Sequence, residues 1–186
     1  MTELDPPVAI VFGGGIGVGK TTLCHRLQSK SAYRGLLQLP FISSDAFPTE
    51  FPHLERSRKA ERALEVAVRD KQPFVWEATF GWSPSRKFAV GELEAIWLTT
   101  LRNAGYKICF HGVTASPDVV WRRLRSRELT SKRYVDADWR VEESAELFLR
   151  NVPAIRSCCH RFRLWLNEDR LRPTRAKPLS TSDPSM

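Results

Sequence analysis

A chain of 186 residues is long enough for one domain with a proper hydrophobic core. Its 29 Lys and Arg against 21 Asp and Glu leave a formal charge of +8, much of it in Arg122, Arg123, Arg125, Arg127, Lys132 and Arg133, which suits phosphate-rich substrates, nucleic acid or anionic surfaces without choosing among them. No stretch is apolar enough to span a bilayer, Met1–Asp5 is acidic with no leader-like run, and neither Cys24, Cys109, Cys158 and Cys159 nor the four histidines fall at metal-ligand spacing, so the expectation is no membrane, no zinc site, no disulfide framework and a reducing cytoplasm.

The apolar run Val8–Phe12 predicts a strand over 8–12. It leads into Gly14-Gly15-Ile16-Gly17-Val18-Gly19-Lys20-Thr21, which matches the phosphate-loop pattern G-x-x-x-x-G-K-[ST], and a helix over 19–30 follows. Glycines let the backbone curl so that successive N–H groups face phosphate oxygens, and the helix N-terminus adds partial positive charge. Gly14, Gly15, Gly17, Gly19, Lys20, Thr21 and Thr22 are the candidate nucleotide-binding residues. Lys20 is placed to bridge the β- and γ-phosphates of ATP, and the Thr21 hydroxyl to hold Mg²⁺.

A second strand over 38–43 runs into Ser43-Ser44-Asp45, and a helix is expected over 55–71. A third strand over 73–78 runs into Glu77-Ala78-Thr79. Strands alternating with helical stretches indicate a parallel sheet with crossover helices, so both carboxylates emerge on the rim that carries the phosphate loop. Asp45 is the candidate proton acceptor, within one strand's distance of the terminal phosphate, and Glu77 the candidate for a substrate hydroxyl or for magnesium-bound water. Next come a helix over 84–104, with Leu93, Ile96, Trp97, Thr100 and Leu101 as its buried stripe and Gly105 as its stop, and a strand over 106–113.

Ser116-Pro117-Asp118 starts a helix over 117–128 with an N-cap, a proline at the first position and an acid in the first turn. Arg122, Arg123 and Arg125 are expected on its solvated side, whereas Arg127 and Arg133, at its end and in the connection beyond, are the candidates to cover a triphosphate. Asp136 caps a helix over 137–151, whose buried face carries Val141, Ala145, Phe148 and Val152 and which Pro153 ends. A last strand is expected over 161–166. From Asn167 the chain turns rich in Pro, Ser, Arg and Lys and is expected to be a disordered tail, so the domain runs over 1–166 and the tail over 167–186. The fold expected is α/β, a P-loop NTPase three-layer sandwich on a central, mostly parallel five-stranded sheet.

With these residues in place, the chain resembles the zeta toxin family of P-loop kinases over roughly residues 8 to 166, and more distantly chloramphenicol phosphotransferase. The resemblance rests on Asp45-Ala46-Phe47 followed by Pro52, on Phe74-Val75-Trp76-Glu77-Ala78-Thr79, on the block from Gly105-Tyr106-Lys107 through Ser116-Pro117 to Arg127, and on Arg133-Tyr134-Val135. It implies that Lys20 and Thr21 handle nucleotide and metal, and that Asp45 is the base activating an acceptor hydroxyl. Glu77 and Thr79 would hold the acceptor, while Arg127 and Arg133 stabilise the transferring phosphoryl group. In toxin members the acceptor is UDP-N-acetylglucosamine, and a small antitoxin obstructs the nucleotide site.

The chain is compact beside those toxins, and its spacer between Arg127 and Arg133 is shorter. Other classes stay open on the residues alone: a nucleic-acid-binding ATPase or polynucleotide kinase, argued from charge and aromatic content, and a nucleotide-binding protein without chemistry. A GTPase is disfavoured, since no N-K-x-D element occurs.

Overall fold

Residues 5–29, 35, 38–48, 50–80, 92–131, 138–168 and 175–178 are described by a computed structural model of the chain. Alternation within β1 (Val8–Gly14) sends Ala9 and Val11 to one face and Phe12 to the other, all without solvent exposure. Around it assemble β2 (Phe41–Ile42), β3 (Phe74–Ala78), β4 (Lys107–Thr114), β5 (Arg161–Glu168) and β6 (Arg175–Pro178), in the order β2-β3-β1-β4-β5-β6. The first five are parallel, as expected, and β6 pairs antiparallel with β5 from Trp165↔Pro178 to Glu168↔Arg175. Asn167 and Glu168, given to the tail on composition, thus end a strand, and part of that segment adds a sixth.

Helices cover both faces, α1 (Lys20–Gln28), α2 (His53–Arg69), α3 (Glu92–Asn103), α4 (Pro117–Ser131) and α5 (Asp138–Cys158). One core layer joins Ala9, Val11 and Phe110 to Leu64, Leu98, Leu101 and Phe148. The other joins Phe12, Val75 and Val113 to Leu23, Leu27, Val120 and Leu124. Two apolar layers enclosing one mostly parallel sheet make the three-layer sandwich of a P-loop NTPase.

Three helix readings are corrected. Ile96 is 52% exposed and Thr100 is exposed too, while Leu98 joins the expected Leu101 as a fully buried residue of α3; Leu93's side chain lies outside the described residues. Pro153 does not end α5, which continues to Cys158. A proline inside a helix costs roughly 3 kcal/mol, offset here by the burial of Ile155 and by Arg102 Nη1, which donates to the Ser157 carbonyl at 2.9 Å. The third correction, Arg123, belongs to the site below. The expected stop at Gly105 is a Schellman turn: Tyr106 N–H reaches the Leu101 carbonyl, Gly105 N–H reaches that of Arg102, and φ at Gly105 is 83°.

Candidate active site

Every parallel strand delivers its carboxyl end to one rim, and the loop between β1 and α1 occupies its centre. Gly14 is required there by close approach, because a Cβ would stand 2.3 Å from the Val113 carbonyl oxygen. Gly17 and Gly19 take φ of 74° and 92°. Gly19 is also the N-cap of α1 and brings no side-chain cap, so the amides that open α1 face the mouth of the loop. Gly15 packs its backbone on α5, near Ala145 and Ser144, and Thr22 lies exposed in the first turn of α1.

Lys20 Nζ donates to the Gly15 carbonyl at 2.9 Å, and more distantly to the Gly14 carbonyl at 3.4 Å and Thr79 Oγ1 at 3.5 Å. Burial pushes its pKa down, while Glu77 and Asp45 pull it up and Arg127 adds to the lowering. Four sequence-predicted residues therefore share one electrostatic field. The Thr21 hydroxyl donates to Glu77 Oε1 at 2.9 Å. Glu77 is 8% exposed, and burial raises its pKa against the pull of Lys20 and the Thr21 hydrogen bond. A loop hydroxyl beside a carboxylate is a hard oxygen pair suited to Mg²⁺ next to phosphate. Among the described residues no cluster of three or more His, Cys, Asp or Glu side chains could hold a metal by itself.

The sheet order changes the reading of the two carboxylates. β3 lies between β1 and β2, with Glu77 paired to Phe12, so Glu77 is one strand from the loop and Asp45 two. Local pattern carries no lateral strand order, and a sequential layout put Asp45 too near. Asp45 returns toward the centre in a 3₁₀ turn, Ser44–Ala46, whose N-cap Ser43 accepts the Asp45 N–H on its hydroxyl at 3.2 Å. There its Oδ1 lies 3.4 Å from Arg56 Nη1 and its Oδ2 3.7 Å from Arg127 Nη2. Arg127 thus reaches over from α4 to the Asp45 carboxylate. Arg133 lies outside the described residues, and Phe80, just beyond Thr79, is buried against Trp76 and Phe110.

Four contributors were not foreseen in these roles. Arg56 sits in the first turn of a charge-rich helix where no pattern singles it out. Arg123, read as solvated, turns inward and donates from Nη1 to the Val18 carbonyl at 3.0 Å, because its angle around α4 differs from those of the exposed Arg122 and Arg125. Asn167 Nδ2 donates to the same carbonyl at 2.9 Å, and Ser144 Oγ accepts the Ile16 N–H at 2.9 Å. The phosphate loop is therefore braced from α4, β5 and α5. Asn167's position at a strand end was the available signal, hidden by the tail's composition.

Residues 10–146 match the family model described as an AAA domain (AAA_33). Sequence comparison with the curated proteins finds no match. A chain of the PezAT chromosomal toxin–antitoxin system of Streptococcus pneumoniae shares the fold at 18% identity and a TM-score of 0.57, over 92% of this chain and 71% of that one. So does a chain of the AvrRxo1-ORF1:-ORF2 complex with ATP, at 14% identity and a TM-score of 0.62, over 93% of this chain and 57% of that one. A protein of Chloroflexus aurantiacus j-10-fl, provisionally named a kinase, aligns at 20% identity and a TM-score of 0.53, over 76% and 79%. This chain spans little more than half of the AvrRxo1 relative, and at these identities the likeness is one of fold.

Proposed function

The chain belongs to the AAA-domain family, and from that premise we propose an ATP- and Mg²⁺-dependent kinase that phosphorylates a small-molecule hydroxyl. One observation carries the reading: at the mouth of the phosphate loop the Thr21 hydroxyl meets Glu77 at 2.9 Å, Lys20 bonds the loop at 2.9 Å, and Arg127 reaches Asp45 at 3.7 Å. In this reading the loop amides and Lys20 seat the triphosphate, Lys20 exchanging its Gly15 carbonyl for phosphate oxygens. Thr21 and Glu77 would hold Mg²⁺, which would supply positive charge against the triphosphate. Asp45 takes the acceptor's proton, and Arg127 and Arg133 cover the charge of the transferring group.

For the acceptor we propose a nucleotide sugar of the UDP-N-acetylglucosamine kind, supported by the zeta toxin resemblance at Asp45-Ala46-Phe47 and Phe74–Thr79. Toxin–antitoxin membership of the PezAT relative supports an antitoxin partner that blocks the nucleotide site. The test is incubation with γ-labelled ATP, Mg²⁺ and a panel of UDP-sugars, hydroxyl-bearing antibiotics and oligonucleotides. Label on a UDP-sugar is the expected result. Label on an oligonucleotide alone would replace this reading with a polynucleotide kinase, and release of phosphate with no labelled acceptor would reduce it to an ATPase.

A further inference from the structure

We propose that Arg56 is the positioning residue of this site, the fixed post that aims Asp45; this rests on Asp45 being the base. Among the described residues the guanidinium groups of Arg56 and Arg127 both reach that carboxylate, and they differ in how they are held. The Arg56 side chain is 14% exposed and the Arg127 side chain 48%, with Asp45 itself at 45%. A half-exposed carboxylate samples several rotamers unless something rigid holds it. Arg127, half exposed and 3.7 Å from Oδ2, is the less firmly held of the two. Arg56 is rigid: its backbone N–H is tied to the Pro52 carbonyl in the first turn of α2, and its stem is packed away from water.

Arg56 Nε is buried and has no hydrogen-bond partner among the described residues. An orphaned buried donor is a cost to folding, so this arginine is poorly explained as a stabilising surface ion pair. It is well explained as a group that fixes an orientation. Asp45 is then held at two points, its N–H by the buried Ser43 hydroxyl and its Oδ1 by Arg56. Reaction requires that placement. The attacking oxygen bonds to the terminal phosphorus, the bridging oxygen leaves with ADP, and the proton passes to Oδ2, the oxygen that Arg56 does not hold.

Water can serve as the attacking hydroxyl, so the test needs no identified acceptor. Steady-state Mg-ATP hydrolysis is measured on the full chain for wild type, Arg56→Met, Arg56→Lys and Asp45→Asn, with thermal unfolding of each. Positioning predicts that Arg56→Met lowers kcat on the order of 10-fold or more, leaves KM for ATP unchanged, and leaves Tm unchanged or higher. Arg56→Lys recovers part of kcat. If Asp45→Asn is slow while Arg56→Met matches wild type, Arg56 does not position and the base assignment stands. If Asp45→Asn matches wild type, the base assignment itself fails. If Arg56→Met loses Tm, KM and kcat together and Arg56→Lys restores none, Arg56 is a structural residue only.

Discussion

Lys20 is held by carbonyl oxygens of its own loop while two carboxylates and a guanidinium act on it from the rim. A phosphate group arriving at the loop satisfies the ammonium better than those carbonyls do, because both partners are then charged. Lys20→Ala is therefore expected to abolish ATP binding, read by calorimetry, as well as phosphate transfer. Asp45→Asn removes a proton acceptor and touches no loop amide, so ATP affinity should survive while turnover falls about 10²-fold or more. Equal turnover in the Asn variant would end its role as base. Glu77→Gln keeps an acceptor for the Thr21 hydroxyl and removes the charge. Half-maximal hydrolysis should then need several times more Mg²⁺, on the order of the 10-fold losses seen for altered metal shells, and an unchanged Mg²⁺ titration would take Glu77 out of the metal site.

At the scale of elements, the parts legible in the sequence are those encoded contiguously. The phosphate loop, the Ser116-Pro117 start of α4 and the Gly105 stop each fall within a few residues, and each forms where expected. Parallel strands also made the shared rim of Asp45 and Glu77 legible. What was not legible is lateral or angular. The insertion of β3 between β1 and β2 is decided by packing across the sheet, and the inward turn of Arg123 by which face of α4 packs against the loop. The run through Pro153 depends on tertiary burial of Ile155, which local propensity does not see. Gly105 offers a clean check on the local logic. A Cβ built there meets nothing within 4 Å, so Gly105→Ala changes only the cost of φ at 83°. The variant should lose about 1 kcal/mol, seen as a lower denaturant midpoint at unchanged slope; a stability equal to wild type would mean the turn relaxes to another conformation.

The whole molecule carries an acid sensitivity that local reading did not expose, and it lies in the sheet beneath the phosphate loop. His111 of β4 is 6% exposed, stacked on Phe12 of β1 at 5.1 Å and on Trp165 of β5 at 6.0 Å. Trp165 Nε1 donates to His111 Nδ1 at 3.1 Å, and since an indole N–H can only donate, the neutral ring carries its proton on Nε2. Burial, helped by the charge of Arg163, pushes the His111 pKa down from 6.5 to about 4. Between those values the unfolded chain binds a proton that the folded chain refuses, so folding stability falls as pH drops through this window. The neutral ring's contribution is fully present above about pH 6.5 and lost by about pH 4, amounting to roughly 3 kcal/mol. Other groups titrate over the same range, which makes the difference between two proteins the useful measurement. His111→Gln can still accept from the Trp165 N–H but cannot gain a proton. Its unfolding free energy should start lower at pH 7 and decline less steeply toward pH 4, the gap to wild type closing as the medium becomes acid. A gap that stays constant from pH 7 to pH 4 would show that His111 is not the group responsible, and that the three central strands tolerate a charged ring between Phe12 and Trp165.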